Sequence, residues 1–380
     1  MTRWRWRGNV ALLGVALAFF IYPLLPNEDV INSDWPAFAT GARLIVSDPG
    51  HLYDLDVQQR VEKDVTGGRV LVTLGIRGIL PYLAPAWVAL LAVPFEAIGT
   101  DLGGRLWILF GLVCLLGGLY LGLRPPHSWG GVGRTPTVGL LPAFASVPTA
   151  LVLVNAQIDG IVALGLGAAI ALWSRPYLAG LALTLTLMKP QLVLPLGVAI
   201  LLGRRWKVVA GWAAGGVILL APTLVLNPRW VIDWLGQTRS TVQTGAREVD
   251  LPHLTVLLPA SLQTAGLALL TVVAIAGVLW LAWRRRTEPT AAAALLIAGG
   301  VLAAPHALPA DLVLVAMAMA VWGRARWFEW LALSAAALVC ALAPVPVPLI
   351  VGALVIGWVC LRAGGLLTSS PPAQEPASAR

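Results

Sequence analysis

The sequence predicts an all-α polytopic membrane protein, and three observations carry that reading. Of 380 residues, 58% are hydrophobic and only 12% charged, whereas a soluble domain carries about 25% charged residues. The shortage of charge extends along nearly the whole chain, with a mean hydropathy of +0.82, so no large soluble domain can be cut out. The basic residues fall in short clusters between apolar runs: Arg3, Arg5 and Arg7; Arg204, Arg205 and Lys207; Arg284, Arg285 and Arg286; Arg324 and Arg326. Clusters beside hydrophobic spans mark cytoplasmic loops. The net charge of +8 therefore does not indicate nucleic acid, whose basic arms are continuous and polar. Cys114, Cys340 and Cys360 lie in or beside apolar runs without CxxC spacing, and read as small buried hydrophobes rather than a disulfide framework.

The elements follow in order. A basic start and an apolar run at 10–25 close on Tyr22-Pro23-Leu24-Leu25-Pro26 with no small-residue cleavage site. That predicts an uncleaved signal-anchor helix with its N-terminus inside. Residues 27–64 then hold eight of the 18 acidic residues, and 27–80 is predicted to be a long extracytoplasmic first loop with short amphipathic helices. Within it, Ser33 reads as an N-cap and Pro36 as a first-turn proline. The segment continues through Phe38, Ala42, Arg43 and Ile45. Asp34 then sits at a helix N-terminus, where spacing alone favours simple complementation of the helix dipole.

Further apolar runs lie near 81–98, 104–123, 137–173, 177–202, 208–226, 263–283, 290–304, 308–322, 328–342 and 346–362. About 20 residues cross the hydrocarbon, so 177–202 must divide. Lys189-Pro190 splits it into two short helices that meet at the outer side. The run 137–173 is expected to cross once, as a helix broken around 155–160. The result is about 12 transmembrane helices with both ends inside. Arg7, Arg205, Arg285 and Arg324 are then cytoplasmic, and Asp34, Arg239 and His306 outside. Arg124 and Arg134 also fall outside, against the charge rule. Residues 1–365 read as one integral membrane domain in the cell (inner or plasma) membrane. The tail 366–380, rich in Ser, Pro and Ala, reads as disordered.

Several polar groups interrupt this apolar background. Lys189-Pro190-Gln191 places a lysine in a long apolar run, which costs several kcal/mol unless it meets water, a partner or an anion. Pro190 breaks the helix and leaves the lysine in a cavity. Asn155-Ala156-Gln157-Ile158-Asp159-Gly160 reads equally well as a cavity lining or as the turn between two half-helices. Pro305-His306 precedes Asp311, but residues i and i+5 do not share a helix face, so no ion pair between them is expected. The loop 230–253 contributes Arg239, Arg247 and His253 beside Arg229. There is no Walker motif, GxGxxG or HExxH, so an ATP-driven pump is excluded.

In order along the chain, these features carry a resemblance. Asp34-x3-Phe38-x3-Ala42-Arg43 is followed by Gly50-His51-Leu52-Tyr53-Asp54. Next come Leu80-Pro81-Tyr82-Leu83-Ala84-Pro85 and Val93-Pro94-Phe95, then Asn155 to Gly160. Met188-Lys189-Pro190-Gln191 closing with Gly203-Arg204-Arg205-Trp206 is the most specific stretch, and Pro305-His306 with Asp311-Leu312 completes the set. Over roughly residues 10–330 the chain resembles glycosyltransferase family 87. These are integral-membrane enzymes of the GT-C fold that take sugar from a polyprenyl phosphate. One departure is that Ala156-Gln157-Ile158 stands where the family has Gly-Gln-Asn.

The resemblance implies a mannosyltransferase-like enzyme of the cell envelope. It would move mannose or a similar sugar from a polyprenyl-phosphate donor to a glycolipid, polysaccharide or protein hydroxyl at the extracytoplasmic face. It also implies that Asp34 is the catalytic base. Lys189, His306, Arg239 and Arg43 are then expected at the donor phosphate. Tyr82, Asn155, Gln157, Asp159, Gln191, His253 and Asp311 are expected to line the cavity. No metal, cofactor or nucleic acid is implied. Lys189→Met is expected to weaken donor binding while leaving the fold intact. The alternative is a transporter or flippase using Lys189 and 155–159 as a mid-membrane site, but it would require two related halves, which the sequence lacks.

Overall fold

The structure is a computed structural model and describes residues 3–25, 30–69, 80–126, 129, 137–241 and 248–367. All regular structure among them is helical. Three helices are long and apolar enough to cross a membrane: α5 (Thr100–Gly122), α11 (Trp206–Leu226) and α13 (Ala260–Arg284). Shorter apolar helices fill the rest of the bundle. They include α1 (Arg3–Ile21), α8 (Asp159–Ala171), α9 (Pro176–Leu183), α10 (Leu194–Leu202), α14 (Pro289–Leu302), α15 (Leu312–Trp322), α16 (Trp327–Leu342) and α17 (Val347–Ala363). Every residue of α15 is buried, as its uniformly apolar sequence requires. Outward faces stay greasy, with Val217, Ile218, Leu269, Val272 and Leu354 exposed. Such faces are stable only against lipid.

Small residues set the closest helix approaches. Gly160 and Gly167 of α8 lie against the backbone carbonyls of Gly111 and Gly118 in α5. A Cβ at either position has no room, and such contacts let membrane helices pack backbone to backbone.

The bundle has two chemically different ends. At the basic end, Arg285 and Arg324 both pair with Glu288, and Arg362 pairs with Glu329. Arg284 and Arg286 stack over Trp280 and Trp283, the arrangement of an aromatic and cationic interfacial belt. From Glu288, α14 runs about 21 Å at 1.5 Å per residue to Leu302, whose carbonyl accepts from Leu251 N at 3.0 Å. That second end is acidic. It holds α2 (Trp35–Ser47), α3 (Leu55–Val65) and α4 (Ala86–Glu96).

Three expectations change here. First, α2 is buried on nearly every side instead of lying on a surface with one wet face. Trp35 and Phe38 pack on Trp107, and Tyr82 lies over Gly41. Its N-cap position is Asp34, with Ser33 one residue earlier. Second, the run 81–98 forms only an 11-residue helix, tied at both ends to the first loop. Tyr53 holds Ala84 O before α4, Arg43 pairs with Glu96 at its close, and Trp35 Nε1 reaches Thr100 O at 2.7 Å. Both ends of α4 therefore stay with the first loop. Third, the run 137–173 is cut twice, into α6 (Thr137–Phe144), α7 (Val147–Val154) and α8. Pro148 starts α7, and Ala156 turns the chain with φ +50°. The run thus goes up through α6 and α7 and returns through α8.

The exchange moves Arg124 to the basic end. It follows α5, whose Gly122 lies beside Met317 and Val321, next to Arg324. Arg134, the 26–29 and 70–79 stretches of the first loop, and the tail from 368 lie outside the described residues.

Single cysteines at exposed positions 124, 324 and 229, with Cys114, Cys340 and Cys360 replaced, test this arrangement. Positions 124 and 324 are expected to label from one side of the membrane and 229 from the other. Labelling of 124 together with 229 would restore α4 as a crossing.

Candidate functional site

Polar side chains meet at the acidic end because three helices break there. The first break is 155–158, between α7 and α8. The second is Lys189, held between short 3-10 turns at Thr184–Met188 and Pro190–Val193. The third is 303–311, between α14 and α15. Irregular backbone at this depth survives only where protein or a cavity satisfies it, so each break presents polar groups inward.

Asp34 is placed by its neighbours in sequence and in space. Ser33 Oγ donates to Val30 O at 2.6 Å and accepts from Trp35 N at 3.2 Å, fixing the start of α2. The Asp34 backbone N–H donates to Asn155 O at 3.1 Å. Its carboxylate makes no cap bond to its own helix and instead accepts from Gln157 Nε2. The dipole-complement reading therefore lacks its capping hydrogen bond. Burial pushes the Asp34 carboxyl up to about 6, against the opposing pull of Lys189 and the Gln157 hydrogen bond. Trp107 Nε1 steadies the 155–158 turn by donating to Ala156 O at 3.0 Å.

Behind Asp34 lies a buried ion cluster. Lys189 Nζ donates to Asp159 Oδ2 at 2.9 Å and to Asp311 Oδ1 at 2.6 Å. Both carboxylates are almost fully buried, and Asp311 Oδ2 also accepts from Leu308 N at 2.6 Å. The lysine charge is committed to two internal partners. Removing one member of a buried charge cluster strands the others, at about 3–5 kcal/mol. These contacts therefore lead to the opposite expectation, that Lys189→Met destabilises the fold.

A third group adjoins it. His306 Nδ1 lies 2.7 Å from Glu248 Oε1, and His253 Nδ1 lies 2.9 Å from Asp250 Oδ1. Both imidazoles are held above their usual value. Burial acts to lower them, and the facing carboxylates outweigh it. His306 and Asp311 do not pair, as their spacing predicts.

An apolar cavity of about 390 Å³ lies between α4, α5, α8 and α11. Trp87, Leu91, Phe110, Ile161, Met188 and Leu219 are among its lining. Of these, Met188 and Ile161 lie one residue from Lys189 and two from Asp159 in the chain. Over it stand Trp230 and Trp234, with Trp87 edge-on to Trp230 at 5.2 Å and Trp87 Nε1 bonded to Leu187 O.

The structure brings Asp34, Gln157, Asp159, Lys189 and Asp311 together, with Asn155 contributing its carbonyl and His253 and His306 adjoining. Gln191 is half-buried in the turn after Lys189. Two expected residues lie elsewhere. Arg43 is held by Glu96 at 2.5 Å, about 13 Å of helix rise from Asp34. Tyr82 is packed into the first loop, its hydroxyl donating to Pro85 O at 2.6 Å and its N–H to Gln58 Oε1, so it lines no site. Arg239 is in α12 (Trp230–Thr241), but its side chain, like Arg247, lies outside the described residues. The sequence reading missed Glu248 and Asp250. Their Glu-x-Asp-x2-His spacing with His253 was visible, but only the fold brings His306 to them.

The family model of Glycosyltransferase family 87 matches residues 82–309, well over half of the chain. The match takes in Gln157, Asp159, Lys189, His253 and His306; Asp34 precedes it and Asp311 follows it. No curated protein and no solved structure matches the chain.

The ion cluster makes a direct prediction. Lys189→Met should lower thermal stability in detergent by about 3–5 kcal/mol. Adding Asp159→Asn and Asp311→Asn should recover part of that loss, because the stranded charges are removed. Equal stability of wild type and Lys189→Met would show that the cluster carries no such constraint.

Proposed function

The chain belongs to glycosyltransferase family 87, and from that membership we propose that it transfers mannose or a similar sugar from a polyprenyl-phosphate donor to an acceptor hydroxyl. The acceptor is a glycolipid, a polysaccharide or a protein, and the acidic end of the bundle is the extracytoplasmic face. Both termini then lie in the cytoplasm, beside the basic end. The observation that supports this most strongly is that the apolar cavity is lined by Met188 and Ile161, near neighbours in the chain of the Lys189–Asp159 ion pair. A lipid-linked sugar needs that pairing. Its isoprenoid chain occupies greasy space reachable from the bilayer, while its phosphate and sugar sit among polar groups.

The chemistry runs through Asp34. Its carboxylate takes the proton of the acceptor hydroxyl as that oxygen bonds to the sugar's C1 from the face opposite the phosphate. The C1–O bond to phosphate breaks with its electron pair, the anomeric configuration inverts, and the lipid phosphate leaves. Gln157 fixes the direction of the carboxylate. Its raised pKa suits a base, because proton transfer is most efficient when base and operating pH are close. Charge growing on the leaving phosphate needs nearby donors. With Lys189 committed to two aspartates and Arg43 to Glu96, that role passes to His306, with Arg239 of α12. Lys189 acts by holding Asp159 and Asp311.

Purified protein incubated with labelled polyprenyl-phosphate mannose should release lipid phosphate and label an acceptor. Exchange of the lipid across liposomes without release would point to a flippase. Asp34→Asn should reduce transfer by about 10²–10⁴-fold with little change in donor affinity, since the base acts on the acceptor. A normal rate in Asp34→Asn, with Asp159→Asn folded and inactive, would move the base to the broken helix.

The pH profile gives a second check. The active form of Asp34 is its carboxylate, so kcat/KM should fall about tenfold per pH unit below about 6. The limb should be absent from the residual activity of Asp34→Asn. A limb unchanged in that variant would assign it to another group.

A further inference from the structure

The acid and histidine group at the end of the bundle has a construction that glycosyl transfer alone does not require. The ligand-type atoms of Glu248, Asp250 and His253 lie within 4.8 Å of one another. Glu248 is 3% and Asp250 0% exposed, so two carboxylates share a nearly dry site. The backbone fixes them there: Val249 N donates to Ala307 O at 2.8 Å, and Leu251 N to Leu302 O at 3.0 Å. The Ala307 N–H then points between them, donating to Glu248 Oε2 at 3.1 Å and Asp250 Oδ2 at 3.0 Å. One oxygen of each carboxylate is thereby held, and the other is turned toward imidazole nitrogen. Asp250 Oδ1 is 2.9 Å from His253 Nδ1, and Glu248 Oε1 is 3.9 Å from His253 Nε2.

We propose that Glu248, Asp250 and His253 bind one divalent transition cation, of the Mn²⁺ or Zn²⁺ class. Bonds of about 2.0–2.2 Å to carboxylate oxygen and imidazole nitrogen suit donor atoms at these separations after small closures. Two carboxylates with one imidazole favour a cation between the hard and borderline classes. His306 is not a ligand. Its 2.7 Å contact to Glu248 Oε1 orients that carboxylate, as outer partners of metal ligands do. Three protein ligands leave positions open, and the partly exposed His306 edge of the cluster gives access to them. The cation offsets the charge of two buried carboxylates that share the Ala307 N–H and, among the described residues, otherwise meet only the His253 N–H and imidazole nitrogens. Its position, one residue along the chain from the Leu308 N–H that holds Asp311, puts positive charge beside the lysine cluster.

The test measures Mn²⁺ binding alone, so it does not depend on the donor or on Asp34 being the base. Full-length protein in detergent, stripped with EDTA, is titrated with MnCl₂ while the EPR signal of free Mn²⁺ is followed. One equivalent should bind, and Zn²⁺ should displace it. Pulsed EPR of the bound Mn²⁺ in the unmutated protein should show a directly coordinated histidine nitrogen. His306→Gln should weaken binding about 10–100-fold, Glu248→Gln and Asp250→Asn should weaken it further, and Asp34→Asn should leave it unchanged. Lack of stoichiometric binding at millimolar Mn²⁺, absence of nitrogen coupling, or full affinity in both carboxylate variants would each overturn the proposal. The first outcome would mean that protons on the histidines, not a metal, balance the cluster.

Discussion

Lys189 sits between Asp159 and Asp311 at 2.9 and 2.6 Å, and these two contacts tie three interrupted helices to one point. Each interruption alone is a weakness in a membrane bundle, because it exposes backbone groups that lipid cannot satisfy. Joined through one ammonium group, the three become a shared polar floor. Asp159 opens α8, Asp311 leads into the buried helix α15, and Lys189 holds the gap between α9 and α10. The ion cluster therefore adds a fixed polar point to the close apolar packing that joins these helices.

The floor also determines what can happen above it. Gln157 emerges from the same break as Asp159 and turns the Asp34 carboxylate away from its own helix. The 303–308 segment that leads to Asp311 also carries Ala307, whose N–H holds Glu248 and Asp250. The partner of Asp34, the ion cluster and the ligands of the Ala307 N–H are thus linked along two short stretches of backbone. Burial raises the proton affinity of Asp34, and Lys189 moderates that rise. A change at the lysine should consequently be felt at the base without any contact between them.

Beneath the floor the contrast in polarity is abrupt. Met188 lines the apolar cavity, and the next residue in the chain is the buried lysine. One residue of the chain therefore separates a wholly apolar lining from a buried ion cluster.

The sequence by itself determined the class of the protein and the location of most of its breaks. Charge scarcity and clustered arginines suffice for a helical membrane bundle, because lipid penalises charge wherever it falls. Lys189-Pro190 and the polar run after Val154 marked two interruptions, since proline and buried polar groups are incompatible with an uninterrupted span. Asp34, Gln157, Asp159, Lys189 and Asp311 were all named from sequence. Their partners were decided only by the tertiary structure. Nothing local says that Lys189 meets aspartates 30 and 122 residues away, that Arg43 is held by Glu96, or that His306 finds Glu248. Hydropathy also could not say that α4 is tied at both ends to the first loop, through Tyr53 with Ala84 and Arg43 with Glu96; such contacts depend on how distant segments pack.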